Sequence, residues 1–119
     1  MGLGRYMPYI NSHDGRRQAL KNGEPAQTAG ELNYQIFYNI KHKKLETYEQ
    51  VKPLVDQFLG INPNYQKYND MTGALIRCYR EIYRRLGYDC RFLLMILNDY
   101  DDEIAKYEDI KIEQNGDVE

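Results

Sequence analysis

The feature that most constrains the fold is the spacing of apolar residues, which recur every three or four positions in several segments of the chain. The clearest stripe consists of Met71, Leu75, Cys78, Ile82 and Leu86. This spacing places all the members of the stripe on one face of an α-helix. Asn69 or Asp70 can cap its first turn, and Gly87 ends it. The sequence therefore predicts a well-defined amphipathic helix at this point.

Two earlier segments carry helix-start signals in front of similar apolar patterns. Thr28 and Glu31 have the spacing of a capping box, and they precede a helix predicted over 29–45. Thr47 and Gln50 repeat that spacing before a short helix. That second helix ends at Gly60, and the proline at position 53 favours a start near position 52 because proline removes one helical hydrogen bond.

A fourth helix is predicted after Asp89, which can cap it, and it continues through position 107. The segment 1–27 has many glycines and little periodicity, so we expect an irregular N-terminal arm before a helical domain over 28–107. The segment 108–119 contains the turn-favouring pair Asn115-Gly116 and is expected to be an extended C-terminal tail. The predicted fold is all-α, a small bundle of about four helices.

Composition excludes several classes of protein. The longest apolar run spans six residues, 92–97, and the mean hydropathy is −0.77, so no membrane-spanning helix is expected. The two cysteines, Cys78 and Cys90, are too few for a disulfide framework or a thiolate zinc site. No apolar stretch follows the N-terminal basic residue, so no secretory signal is indicated. We therefore expect a cytoplasmic protein with reduced thiols.

Charge is distributed unevenly along the chain. Between positions 76 and 91, five arginines and two carboxylates give +3, whereas positions 99–119 hold nine carboxylates and two lysines and give −7. The arginines Arg77, Arg80 and Arg84 recur at i, i+3 and i+7 with Tyr79 and Tyr83 between them. Guanidinium groups bind phosphates or carboxylates, and phenol rings can stack on bases, so these five residues are candidate ligand-binding residues.

The sequence pI of 5.7 makes duplex DNA an unfavourable partner for this row of arginines. A small nucleotide-like anion or an acidic protein surface suits one local stripe better. The alternative is that the arginines only line the solvent side of the helix and pair with Glu81 or with the acidic C-terminal segment.

The apolar run at 92–97 exceeds what one small helical layer can bury, so it predicts a homo-oligomer interface. The candidate interface residues are Tyr88, Phe92, Met95 and Tyr100. The alternative is that this run forms a central helix of the core.

Four stretches of the chain together resemble a known family. They are MPYIN at 7–11, GELNYQI at 30–36, NDMTGALIRCYREIYRR at 69–85 and KYEDIKIEQNGDV at 106–118. In order and wording they resemble a family of small helical proteins of unknown function from bacteriophages and anaerobic bacteria, with motifs MPYI, GELNY, E-x-YRR, YEDKKI and NGDV. Two departures are the inserted segment 86–105 and Ile76, where a glutamate is usual. The resemblance implies a compact phage or bacterial accessory protein whose native start is Met7.

The sequence gives less support to a catalytic function. Acids on different helices could together hold Mg²⁺, as in all-α nucleotide pyrophosphohydrolases. These acids are Glu31, Glu81, Asp101, Asp102 and Glu103. Glu31 and Glu81, however, lie outside the paired ExxE and ExxD motifs of such enzymes. His13 and His42 have no nucleophile at an informative spacing, and Cys78 is predicted to be a core residue.

No phosphate-binding GxxxxGK[ST] loop occurs, and no cofactor is indicated. The sequence therefore favours a non-catalytic accessory protein that binds a host protein or an anionic nucleotide-like ligand, with a sequestering role against host defence as one form of that function. A metal-dependent nucleotide pyrophosphohydrolase is the alternative.

Overall fold

The computed structural model describes residues 15–43, 45 and 47–116. Over these residues the chain forms six α-helices and no strand, which confirms the all-α class. The helices are α1 (Arg16–Lys21), α2 (Ala29–Lys43), α3 (Tyr48–Leu59), α4 (Tyr65–Leu86), α5 (Phe92–Asp99) and α6 (Asp101–Asn115).

The number of helices exceeds the predicted four for two reasons. Helix α1 lies inside the segment 1–27 that was predicted to be an irregular arm, where Leu20 is buried and anchors the single turn and a half. The rest of that arm, residues 1–14, lies outside the described residues. The predicted fourth helix is broken at Tyr100, whose backbone leaves helical geometry between α5 and α6.

The prediction of an extended tail from position 108 is wrong for most of that segment, because α6 continues to Asn115 and ends before Gly116. Three acids in its first turn, Asp101, Asp102 and Glu103, interact favourably with the positive end of the helix dipole. No residue of α6 is fully buried, but Ile104 and Tyr107 are half-buried against the core, and the Tyr107 hydroxyl donates to the carbonyl oxygen of Pro63 at 3.0 Å. Packing of this one face therefore holds α6 on the bundle.

The core is built mainly between α2 and α4, which share the most extensive contact among the described helices. Met71, Leu75, Cys78 and Ile82 on α4 are completely inaccessible, and Leu86 is half-buried at the end of the same stripe. The predicted apolar face of this helix is therefore confirmed. Helix α2 is buried over most of its girth from position 32 to position 37 and forms the centre of the bundle.

Polar side chains on α2 attach the short helix α1 to the core. The side-chain nitrogen of Gln35 donates to the carbonyl oxygens of Leu20 at 2.9 Å and Glu24 at 2.8 Å. Arg16 on α1 forms an ion pair with Glu31 on α2, with 2.8 Å between Nε and Oε2. These bonds satisfy one carbonyl near the end of α1 and one in the loop after it, and they fix the position of α1 on α2.

Helix α4 begins earlier than predicted. Its cap is Asn64, whose Oδ1 accepts the backbone N–H of Lys67 at 2.8 Å, rather than Asn69 or Asp70. The additional turn is stabilised by packing, because Tyr68 on it is buried. The helix ends as predicted at Gly87, whose φ of +75° is a left-handed conformation that glycine adopts without strain.

Helix α3 begins at Tyr48, directly after the Thr47 and Gln50 capping box. Pro53 therefore lies inside the helix, and the later start predicted from it is wrong. The favourable cap and the buried face of Val51 and Val55 offset the one hydrogen bond that proline removes. Among the helices described for residues 15–116, none combines the length and the hydrophobicity needed to cross a membrane.

Candidate functional site

The candidate arginines lie on the side of α4 that faces away from the core. Arg77, Arg80 and Arg84 are exposed, whereas the apolar stripe on the opposite side of the helix is buried against α2. The 100° rotation per residue places the three guanidinium groups in one row along two turns. Formation of α4 alone therefore places the three arginines on one surface, and no contact with a distant part of the chain is needed.

The acid nearest to this row in sequence is turned away from it. Glu81 Oε1 accepts a hydrogen bond from Nδ2 of Asn33 on α2 at 3.0 Å, which directs the carboxylate toward the neighbouring helix. Within the described residues, no ion pair involves Arg77, Arg80 or Arg84. The alternative in which these arginines pair with Glu81 is therefore not what the structure shows.

The two candidate tyrosines have different surroundings. Tyr83 is 58% exposed beside the arginine row. Tyr79 is half-buried, and its hydroxyl donates to the carboxylate of Asp89 at 2.8 Å, a bond that raises the pKa of Tyr79. Because Asp89 also pairs with Arg91 at 3.0 Å, Tyr79 helps to hold the segment between α4 and α5. We name the exposed set Arg77, Arg80, Tyr83 and Arg84 the basic face.

The candidate interface residues surround the short apolar helix α5. Leu93 and Ile96 are buried in the core, whereas Met95 is 56% exposed and Tyr88, just before the helix, is 52% exposed. Phe92 is half-buried. Helix α5 is thus partly a core helix and partly an exposed apolar surface, which combines features of both alternatives.

Tyr100, the fourth interface candidate, is half-buried against the core. Its ring centroid lies 6.1 Å from that of Tyr68, and the Lys52 ammonium lies 5.4 Å from its ring centroid. Its hydroxyl donates to the carboxylate of Asp56. Burial is the main cause of the raised pKa of Tyr100, and this hydrogen bond adds to it. The ring therefore connects α3 with the junction between α5 and α6.

The acids of the hydrolase alternative are not brought together. Glu31 pairs with Arg16, Glu81 bonds to Asn33, and the three acids at 101–103 begin α6, which contacts α4 and α5. Over the part of the chain that the structure describes, no three His, Cys, Asp or Glu side chains are grouped to hold a metal ion. The geometry therefore gives the hydrolase no support.

Cys78 lies in the core with none of its surface exposed, as the core interpretation predicts. Its Sγ is 3.8 Å from the carbonyl oxygen of Asn33, and burial raises the pKa of the thiol well above its ordinary value. A buried, protonated thiol is a poor nucleophile.

Sequence reasoning missed one feature, a depression on another side of the bundle where α1, α2 and α4 meet. It contains Arg17 and Lys21 from the segment predicted to be irregular, together with Lys41 and His42. Lys41, His42 and Lys43 lie in the last turn of α2, where the helix dipole favours positive charge. The dipole was sufficient to explain these basic residues, so the sequence did not indicate a binding site there. The signal that was available is the turn-flanked segment 16–21, in which basic residues surround the apolar Leu20.

Comparisons of the chain with family models, with curated proteins and with solved structures gave no match. The motif resemblance described above therefore stays a hypothesis, and the function has to be inferred from the geometry of the molecule.

Proposed function

We propose that this chain is a non-catalytic binding protein that docks an acidic protein surface on the basic face. The observation that carries the proposal is the row of three exposed arginines without an ion pair among the described residues. Like charges at this spacing destabilise a helix by about 0.2–0.5 kcal/mol per pair. A binding role explains why such a row is present.

The surroundings of the row favour a protein over a duplex. Arginine pairs with carboxylates through two parallel hydrogen bonds, and Tyr83 supplies an amphipathic ring of the kind enriched at protein interfaces. The basic face is a strip along one helix of an otherwise acidic chain, with a sequence pI of 5.7. A long duplex would meet unfavourable charge beyond this strip.

The motif resemblance supports the wider interpretation of an accessory protein of a phage or bacterium, acting in the host cytoplasm. A protein of that kind acts by occupying a host component, and a sequestering role against host defence is one such function. Self-association is part of the proposal, because Tyr88, just before α5, and Met95 on α5 are large side chains that are more than half exposed. Sedimentation of wild type and Met95→Glu tests it: a wild-type dimer that the variant dissociates supports it, and a wild-type monomer refutes it.

The docking proposal is tested by fluorescence anisotropy with labelled poly-L-glutamate as a defined acidic polypeptide. The binding variant is the triple change Arg77→Gln, Arg80→Gln and Arg84→Gln. We expect its affinity to fall by more than tenfold, because three charge-assisted contacts are lost.

The matched control removes the same number of positive charges elsewhere, by Arg91→Gln, Lys106→Gln and Lys111→Gln. Its binding should stay within about threefold of wild type if contacts on the basic face determine affinity. Equal weakening of both triple variants would show a general charge effect and refute the docking site. Absence of binding by the wild-type chain would refute it as well.

A further inference from the structure

The second half of α6 is a helical segment with its whole surface exposed. Every residue from position 108 to position 116 is exposed, whereas Ile104 and Tyr107 in the first half are half-buried against the core. Two turns of helix are only marginally stable in water by themselves and gain stability from packing on a neighbour. This half of α6 is therefore open to a partner outside the molecule.

Three carboxylates form one row along α6, on the side opposite its half-buried face. They are Asp102, Asp109 and Glu113, all of them exposed, and the helical repeat places these positions in one narrow strip. We name them the acidic row. Among the described residues, no ion pair involves a member of this row, and the neighbouring Lys106 pairs with Glu103 at 3.9 Å. The acidic row is therefore available to a basic surface.

The acidic row matches the basic face in spacing. Asp109 and Glu113 are four positions apart, as are Arg80 and Arg84, so each pair of charges is about 6 Å apart along its helix. Two helices that lie side by side can thus form both ion pairs at once. Arginine adds specificity to such contacts, because its planar guanidinium binds a carboxylate through two parallel hydrogen bonds.

Apolar side chains border both surfaces. Ile110 and Ile112 lie one on each side of the acidic row and are 46% and 43% exposed. Tyr83 in the basic face is 58% exposed. Contact between the two surfaces would cover these side chains as well as pair the charges, and removal of apolar surface from water favours association.

The acidic row cannot reach the basic face of its own chain. The ring centroid of Tyr100 lies 6.1 Å from that of Tyr68, and the ring centroid of Tyr107 lies 6.2 Å from that of Tyr65. Along α6 the contacts thus move toward the start of α4. Arg77 lies roughly 14 Å from Tyr68 in the opposite direction, at about 1.5 Å of rise per residue. Ion pairs between the two rows therefore need two molecules.

We propose that the acidic row of one molecule docks on the basic face of a second copy of this chain. The inference rests on the proposed function, since it uses the same docking surface and identifies one acidic surface that occupies it. Charge complementarity selects the second copy: five arginines and two carboxylates give the segment 76–91 a charge of +3, and nine carboxylates and two lysines give the segment 99–119 a charge of −7.

The contact is head-to-tail, because the docking surface and the docked helix are different parts of the chain. Contacts of this kind build rings or open chains. The contact also covers the basic face, so an acidic partner has to displace α6 of the neighbouring copy. Self-association therefore regulates access to the basic face.

Sedimentation velocity at low salt tests the contact in the full-length chain. Every chain in this experiment carries Met95→Glu, which removes any contribution from the exposed side of α5, and the chain with this change alone is the parent. The parent should associate as its concentration rises. About 0.5 M sodium chloride should dissociate it, because salt screens exposed charges. The α5 contact of the wild type is therefore tested at that salt concentration.

Charge reversal then identifies the two surfaces. The face variant adds Arg80→Glu and Arg84→Glu, and the helix variant adds Asp109→Lys and Glu113→Lys. Each variant alone places like charges against each other, so its dissociation constant should rise by more than about tenfold. An equimolar mixture should associate again, because the helix of each variant is complementary to the face of the other. Recovery in the mixture also shows that both variants are folded.

The matched control reverses two exposed carboxylates elsewhere, by Glu24→Lys and Glu49→Lys. Its dissociation constant should stay within about threefold of that of the parent. Equal weakening by this control would show a general charge effect and overturn the inference. A parent that stays monomeric, a charge-reversed variant that associates like the parent, or a mixture that stays monomeric would overturn it as well.

The outcome for this inference is separate from that for the docking proposal. If the parent stays monomeric and the wild-type chain still binds poly-L-glutamate through the basic face, only the inference of a second copy is wrong. If the chain neither associates nor binds the polypeptide, both are wrong. If both hold, excess poly-L-glutamate should return the associated parent to monomers, because the two ligands compete for one surface.

Discussion

Replacement of Glu31 by glutamine is the change that best tests how the molecule is held together. Glu31 Oε2 and Oε1 accept bonds from Arg16 Nε and Nη2, each at 2.8 Å, and Oε1 also accepts the backbone N–H of Gln27 at 2.9 Å. The Arg16 Nη2 group donates in addition to the Pro25 carbonyl at 2.7 Å. One carboxylate therefore connects α1, the following loop and the start of α2.

The expected loss of stability follows from these bonds. Loss of a hydrogen bond to a charged group costs about 1.5–3 kcal/mol, and the two side chains are only 23% and 14% exposed, so solvent screening is incomplete. Glutamine keeps one acceptor oxygen but presents an amide N–H₂ to the guanidinium. The free energy of unfolding should therefore fall by about 2 kcal/mol, which lowers the melting temperature of a domain of this size by about 8 °C.

The loss should also depend on pH. The hydrogen bond from Arg16 is the largest cause that lowers the pKa of Glu31 below its ordinary value of 4.5. A carboxyl group with a lower pKa in the folded state stabilises the protein above its unfolded pKa and loses that contribution as the pH falls through its folded pKa. The difference in stability between wild type and Glu31→Gln should therefore be full at pH 7 and shrink below about pH 4.5.

The assay is thermal unfolding followed by circular dichroism from pH 7 to pH 3, with the exposed Glu108→Gln on α6 as a matched control. The control should melt with the wild type at every pH. The reasoning is refuted if Glu31→Gln melts within about 1 °C of wild type at pH 7, or if its difference from wild type does not shrink at low pH.

Three further predictions concern the longest helix. Gly73→Ala should raise the free energy of unfolding by about 0.5–1 kcal/mol, because the site is inside a helix and, among the described residues, no atom outside the adjoining helix backbone lies within 4 Å of an added Cβ. Gly87→Ala, at a φ of +75°, should lower the same free energy by about 1 kcal/mol, and urea denaturation distinguishes the two signs. Leu75→Ala should lower the same quantity by about 3 kcal/mol because the side chain is fully buried, whereas Leu75→Met should cost less than about 1.5 kcal/mol; equal losses would contradict close packing at this site. Cys78 should resist a thiol reagent in the native protein and react after denaturation, since burial raises its pKa; rapid native labelling read by mass spectrometry would contradict its place in the core.

The elements that the sequence predicted well are those in which local and tertiary signals agree. The apolar stripe of α4 is long, its period is regular, and Gly87 provides a clear stop, so both its buried face and its end were predictable. The capping box at Thr47 marks the true start of α3, whereas the later start predicted from Pro53 is wrong. Each of these signals lies within a few residues of the structure that it predicts.

The errors arose where distant contacts decide the local conformation. The break at Tyr100 accompanies the packing of its ring on Tyr68 and its hydrogen bond to Asp56, residues that are far apart in sequence. Helix α1 is too short to be stable by itself and depends on Gln35 and Glu31 of α2. Neither set of contacts leaves a periodic pattern in the sequence.

Of the two basic features, one could be identified from the sequence and the other could not. The exposed row of arginines follows from helical spacing alone, so the sequence was sufficient to identify it. The depression between α1, α2 and α4 combines residues 17 and 21, five residues between positions 34 and 42, and Arg85, which three different helices bring together. Its discovery required the tertiary structure.

The central claim is that the basic face docks an acidic polypeptide. Native mass spectrometry of the full chain with a glutamate oligomer of defined length tests it most directly, because one spectrum reports the mass of the chain and of any retained polypeptide. The account predicts a complex with the wild-type chain that the variant with Arg77→Gln, Arg80→Gln and Arg84→Gln does not form. Equal complex formation by both chains, or a wild-type chain that retains no polypeptide, would contradict it.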